Sequence, residues 1–196
     1  MKTIVYLHGF RSAPKSTKAR MLGEYLKLHA PGIEYRVPAL DARPAQAMSQ
    51  VLWHCLGKSP EHLTIVGSSL GGFYATVAAE KLGCRAVLLN PAVKPYDVLG
   101  TQLGPQDNLY TGQRFDLTHA HLDELRALAV EKITRPERYW LIAETGDELL
   151  DWRDMAAFFS SCRQTIVEGG SHVLDSFASH LDGIAAFAGA APGGRA

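Results

Sequence analysis

Leu63-Thr64-Ile65-Val66-Gly67-Ser68-Ser69-Leu70-Gly71 joins a short apolar run to a G-x-S-x-G pentapeptide, and an Ala-rich stretch from Phe73 to Leu82 follows. The run reads as a buried strand and the Ala-rich stretch as a helix. A serine at the tip of such a sharp strand-to-helix turn presents its hydroxyl outward, and its neighbours must be small because the backbone there is tightly packed. Ser69 is therefore the candidate nucleophile. Ser68 occupies a flanking position, and the competing reading of Ser69 is a helix cap or a phosphate-binding turn.

Outward from this turn, two patterns alternate. β-branched runs at Thr3 to Leu7, Glu34 to Val37, Leu63 to Val66, Arg85 to Leu89, Tyr139 to Ala143 and Thr165 to Glu168 predict strands. Between them, Met48, Val51, Leu52, Cys55 and Leu56 recur at helical spacing, as Met21, Leu22, Tyr25 and Leu26 approximately do. Such alternation predicts an α/β fold in three layers: a mostly parallel sheet of about six strands with helices on both faces. Ligands of these sheets sit beyond the carboxyl ends of the strands. Pro95, Gly100, Gly104, Pro105 and Gly112 break the rhythm, so residues 91–136 read as an insertion in a lid position, ending in an apolar helix around Leu122, Leu125 and Leu128. A lid is one reading of the insertion and a plain covering loop the other. Residues 1–188 are expected to form one domain, and the small, Gly-rich residues 189–196 a flexible tail.

The 20 basic and 20 acidic side chains among 196 residues cancel, so no global field favours nucleic acid or an anionic membrane. No apolar run approaches a bilayer span, and Met1 to Leu7 meets His8-Gly9 too early for a signal-peptide core. Cys55, Cys84 and Cys162 are odd in number and widely spaced, which suits reduced thiols. These features lead us to expect a cytoplasmic protein with no nucleic-acid partner and no membrane span.

A serine hydroxyl needs a base, and imidazole has the pKa for it. His172, in Gly169-Gly170-Ser171-His172 just past the final strand, falls at the same sheet edge as Ser69. His8 is the rival base, although a His-Gly pair in its loop more often shapes an oxyanion site. The third member holds the imidazole tautomer. In Tyr139-Trp140-Leu141-Ile142-Ala143-Glu144-Thr145-Gly146-Asp147 the choice falls on Asp147, with Glu144 and Asp151 as alternatives. The order Ser69, Asp147, His172 is that of α/β-hydrolases. For the oxyanion hole, the expected donors are the backbone N–H groups of Leu70, next after the nucleophile, and Phe10, in the loop after the first strand. Tyr96, Leu99, Leu103, Tyr110 and Phe115 are candidates to line an acyl pocket, and Arg11, Lys15, Lys18 and Arg20 form a basic cluster beside the Phe10 loop. His119 and His121 would point apart on a helix and lack a third ligand, so no metal site is expected.

Tyr6-Leu7-His8-Gly9-Phe10, the stretch from Gly67 to Ala75, Leu89-Asn90-Pro91-Ala92, the stretch from Gly146 to Asp151 and Gly169-Gly170-Ser171-His172 together resemble the α/β-hydrolase superfamily. More narrowly, they resemble its compact bacterial YqiA-type (UPF0227-like) esterases, from Met1 to about Ala188. The resemblance implies a serine esterase without a cofactor, acting on small-molecule carboxylic esters or thioesters, including short-chain artificial esters and acyl-CoA. An acyl-CoA thioesterase or acyltransferase is the neighbouring alternative, and a non-catalytic binding protein on the same fold the alternative from another class.

Overall fold

The computed structural model describes residues 1–190. Strand β1 (Lys2–Leu7), helix α1 (Thr17–His29), strand β2 (Ile33–Arg36) and helix α2 (Pro44–Cys55) come first. Helix α2 opens on a proline, whose fixed φ and missing N–H suit a first helical turn. Strand β3 (Leu63–Ser68), helix α3 (Leu70–Leu82) and strand β4 (Arg85–Leu89) follow, and α3 ends at Gly83 in the left-handed conformation, φ 67°. Next come α4 (Pro95–Leu99), β5 (Gly104–Asp107), β6 (Arg114–Leu117) and α5 (His119–Leu128). Strand β7 (Tyr139–Glu144), α6 (Trp152–Phe158), β8 (Arg163–Val167) and α7 (Leu181–Phe187) complete the described chain.

Six strands pair in parallel in the order β2-β1-β3-β4-β7-β8. Alternate residues of each central strand enter opposite cores. Ile4, Tyr6, Val66, Val87, Leu89, Trp140 and Ile142 pack with α1 and α7, whereas Val5, Leu7, Ile65, Ala86, Leu88, Leu141 and Ala143 pack with α2, α3, α5 and α6. Burial on both faces explains why these strands read as continuous apolar runs. All parallel strands end on one side, and the order reverses between β1 and β3, which opens a crevice at their carboxyl ends.

The sheet has the expected architecture, with differences at its edges. β2 begins at Ile33 rather than Glu34, and β8 at Arg163 rather than Thr165. Both are edge strands, so only part of each carries the apolar signature of burial. The insertion contains an antiparallel hairpin, β5 with β6, that the sequence reading missed. Gly-Pro-Gln-Asp and Arg-Phe-Asp-Leu hold no β-branched residue, and it is β-branched and aromatic content that announces a strand. The helix around Leu122 and Leu125 forms as α5, with both side chains buried and Thr118 and His121 closing a capping box at its start. Of the expected tail, Gly189 and Ala190 still bond back, through the Lys2 ammonium to Gly189 O and the Ala190 N–H to Ala185 O at 2.8 Å. The rest of that tail lies outside the described residues. No helix among them is long and apolar enough to cross a membrane.

Candidate active site

Ser69 sits between β3 and α3 with φ 55° and ψ −121°, a conformation outside the left-handed helical region that residues bearing a Cβ seldom adopt. Crowding holds it there. A Cβ on Gly67 would lie 2.8 Å from Ala75 Cβ, one on Gly71 2.7 Å from His8 O, and one on Gly72 2.6 Å from Pro91 Cβ. Only glycine fits at these three places, so β3, α3 and the ends of β1 and β4 close around the turn. The Ser69 carbonyl accepts from Gly72 and Ala92 N–H at 2.9 and 3.1 Å, and its own N–H donates to Leu89 O at 3.1 Å. Backbone bonds thus fix both sides of the serine while its hydroxyl points away.

That hydroxyl meets His172. Ser69 Oγ lies 3.0 Å from His172 Nε2, and His172 Nδ1 lies 2.8 Å from Asp147 Oδ2 and 3.0 Å from Oδ1. A carboxylate only accepts, so Nδ1 carries the proton and Nε2 is left free to take one from the serine. The Asp147 side chain is fully buried, and its Oδ1 also accepts from the Leu149 and Leu150 N–H groups at 2.9 Å each. The His172 side chain is 17% exposed. Serine, imidazole and carboxylate therefore form one continuous line, an arrangement able to move a proton off the hydroxyl as it attacks.

The alternatives separate cleanly. Glu144 does not face the imidazole; its Oε2 accepts from Ser171 and Asp175 N–H at 2.8 and 3.0 Å and its Oε1 from Ser176 N–H at 2.7 Å. Asp151 caps α6 by accepting from Arg153 N–H at 2.9 Å. His8, 5% exposed, accepts from Leu40 N–H at 3.2 Å through Nε2 and donates through Nδ1 to Gly9 O at 3.1 Å. Burial pushes its pKa down, against the Gly9 bond, so it sits as a neutral brace under the loop after β1. A Cβ on Gly9 in that loop would lie 3.2 Å from Ser69 Cβ, which brings the Phe10 backbone to the serine. The N–H groups of Phe10 and Leu70 donate to no protein acceptor among the described residues.

A cavity of about 410 Å³ opens on Ser69 and His172, walled by Tyr6, Phe10, Met21, Tyr110, Leu174 and Phe177. Of the expected acyl-pocket residues only Tyr110 reaches it. Leu99 is buried in the core, Tyr96 and Phe115 pack against that core, and Leu103 is partly exposed elsewhere. Their apolar character reflects the packing of the insertion on the sheet. Of the basic cluster only Lys18 lines the cavity, with its ammonium donating to Val173 O at 2.6 Å. Sequence reasoning included Asn90 in a resembling stretch but gave it no role; its side chain donates to Ser171 O and His172 O at 2.9 and 3.3 Å and accepts from Glu144 N–H at 2.9 Å. Its positive φ of 41° is a local signal visible only in the backbone.

Solved structures share this architecture. An Agrobacterium vitis S4 protein provisionally assigned as a hydrolase is 18% identical, with 95% of this chain and 87% of that one aligned at a TM-score of 0.75. Est1E from Butyrivibrio proteoclasticus is 16% identical, covering 95% and 86% at a TM-score of 0.69. The esterase domain of a Rhodothermus marinus protein is 18% identical, covering 95% and 86% at 0.67. At such identities the likeness carries the α/β-hydrolase fold and not the chemistry. The family relation is closer, because one family model spans nearly the whole chain: with residues 3–189 matched, this chain belongs to the uncharacterised protein family UPF0227.

Proposed function

We propose that the protein is a cytoplasmic serine esterase, a single hydrolase domain over residues 1–188, that cleaves small-molecule carboxylic esters or thioesters through an acyl-enzyme. The observation that carries this reading is the unbroken line from Ser69 Oγ through His172 to Asp147, with contacts of 3.0 and 2.8 Å. His172 takes the Ser69 proton as Oγ attacks the acyl carbonyl, and Asp147 keeps the imidazole in its productive tautomer and stabilises the imidazolium. The developing oxyanion accepts from the Phe10 and Leu70 N–H groups, which have no other protein acceptor among the described residues. His172 returns the proton to the leaving group, the tetrahedral intermediate collapses, and water then repeats the cycle on the acyl-enzyme.

The cavity of about 410 Å³, apolar on the side formed by Tyr6, Phe10, Met21, Tyr110, Leu174 and Phe177, suits an acyl chain of modest length, and Tyr110 brings the 91–136 insertion to its wall. Fold relatives that are esterases or hydrolases add support at the level of reaction class. Turnover of chromogenic esters by the parent protein and by Ser69→Ala tests the reading: at least about 10⁴-fold loss is expected in the variant, and equal turnover by both would sink it. Failure of folded protein to react with a fluorophosphonate probe would instead favour a binding module.

Lys18 favours a second reading, an acyl-CoA thioesterase or acyltransferase. Its ammonium lines the cavity, donates to Val173 O and pairs with no carboxylate at bonding distance among the described residues, while Glu144, Asp175 and Asp147 lie near enough to favour its charged form against burial. As a cation on that wall it offers a contact to an anionic leaving group. Competition by free coenzyme A against ester hydrolysis separates the two.

A further inference from the structure

Glu144 is a carboxylate at the end of β7, 1% exposed, without a cationic partner at bonding distance among the described residues. Burying a charge is costly unless hydrogen bonds replace its water, and an apolar side chain would fill the same space with less penalty. Here the replacement comes from three backbone N–H groups of one loop: Ser171 on one side of His172, and Asp175 and Ser176 on the other. Burial raises the Glu144 pKa, and the bonds from Ser176, Ser171 and Asp175 outweigh it and hold the group below the ordinary carboxylate range.

Asn90, at the end of β4 and 0% exposed, grips the same loop by its carbonyls, Ser171 O and His172 O, and ties itself to Glu144 N–H. The loop needs holding, because Leu174 within it sits at φ 62°, where a branched side chain is strained. Gly170 belongs to the same device: a Cβ there would lie 2.9 Å from Glu144 Cγ and closer still to its carboxylate. The hydrogen bonds of the Glu144 and Asn90 side chains among the described residues go to backbone groups, none of them to the Ser69 hydroxyl or the imidazole ring.

We propose that Glu144 and Asn90 are positioning residues, a buried clamp that fixes the His172 loop so that the imidazole meets Ser69 and Asp147 at once. The catalytic part of this inference rests on the esterase reading above. A side chain misplaced by about 1 Å can forfeit on the order of 10²-fold in rate, so releasing the clamp should act on kcat.

The test is a double-mutant cycle on a chromogenic butyrate ester. Glu144→Gln in the parent is expected to lower kcat about 10- to 100-fold with KM changed less than about twofold. In the His172→Ala background the same change should alter the residual rate less than about twofold, because no imidazole remains to be placed. An unchanged kcat in Glu144→Gln, or an equal loss in both backgrounds, would overturn the proposal. Asn90→Asp, which keeps the acceptor for Glu144 N–H but removes the two bonds to the loop, serves if Glu144→Gln does not fold. The downfield NMR resonance of the His172 Nδ1 proton is read alongside: it should be sharp in the parent and lost in the folded variant. If the parent shows no Ser69-dependent turnover, the esterase reading fails, and this resonance alone decides the clamp. Its persistence unchanged in the variant would count against the clamp whatever the substrate.

Discussion

The turn at Ser69 and the β5–β6 hairpin lie on the same rim of the sheet and are held in opposite ways. Around Ser69 the backbone is so crowded that a methyl group at Gly67, Gly71 or Gly72 would strike neighbouring atoms. The hairpin is largely exposed and joins the loop after β1 by three bonds: Leu109 N–H to Arg11 O at 2.9 Å, the Asn108 amide to Ser12 O at 2.8 Å and Arg11 Nε to Asp107 O at 2.8 Å. Reacting atoms need fixed distances, which only a close-packed scaffold supplies. A segment that only adds Tyr110 to a cavity wall tolerates a looser attachment, as surface segments generally do.

The largest expected effects fall at the crowded turn. His172→Ala should lower kcat by about 10⁴-fold or more, roughly 5 kcal/mol of transition-state stabilisation, with the melting temperature little changed. A rate within tenfold of the parent would break the contrast. Gly71→Ala should destabilise by about 3 kcal/mol, at the upper end for overpacking, because the obstructing Leu7 and His8 atoms are backbone and cannot rotate away. The urea midpoint reads this directly.

Acid comes next in size. The Glu144 pKa is depressed in the folded state, so its contribution is present above the unfolded value and is lost as pH falls through the folded one. Glu34, held down to about 2 by bonds from Lys58 and Arg36, adds a contribution of the same sign at the far edge of the sheet. Parent stability should therefore decline from about pH 5 to pH 3, and Glu144→Gln should decline less steeply. Parallel slopes would remove Glu144 from the account. The smallest effect belongs to the hairpin. Asp107→Ala breaks its bond with Arg114, where the side chains are 56% and 80% exposed, and should cost less than about 1 kcal/mol by chemical denaturation.

Legibility in the sequence follows the same division. The central strands were readable because burial on both faces makes each an unbroken apolar run. Ser69 and His172 were readable because each follows a strand, the central β3 and the edge strand β8, within a Gly-containing turn, and parallel strands deliver their turns to one edge. The hairpin was not, since Gly104-Pro105-Gln106-Asp107 pairs with Arg114-Phe115-Asp116-Leu117 on an exposed surface that imposes no apolar alternation. The acyl-wall candidates failed for a related reason: apolarity in Leu99 and Phe115 reports burial, and burial does not distinguish a core from a pocket.

By itself the sequence determined the succession of the six parallel strands, the strained serine turn and the sheet edge at which Ser69, Asp147 and His172 gather, because local periodicity and small residues encode burial and backbone approach. Tertiary structure alone decided which acid meets the imidazole. Glu144 and Asp147 lie on one short segment, and only the path of the loop through residues 171–176 turns the first to backbone amides and the second to His172 Nδ1. It also decided that Ser69 and His172, 103 positions apart, stand 3.0 Å from each other. Strand order sets that distance, and strand order arises from the packing of whole elements, which no local stretch of sequence contains.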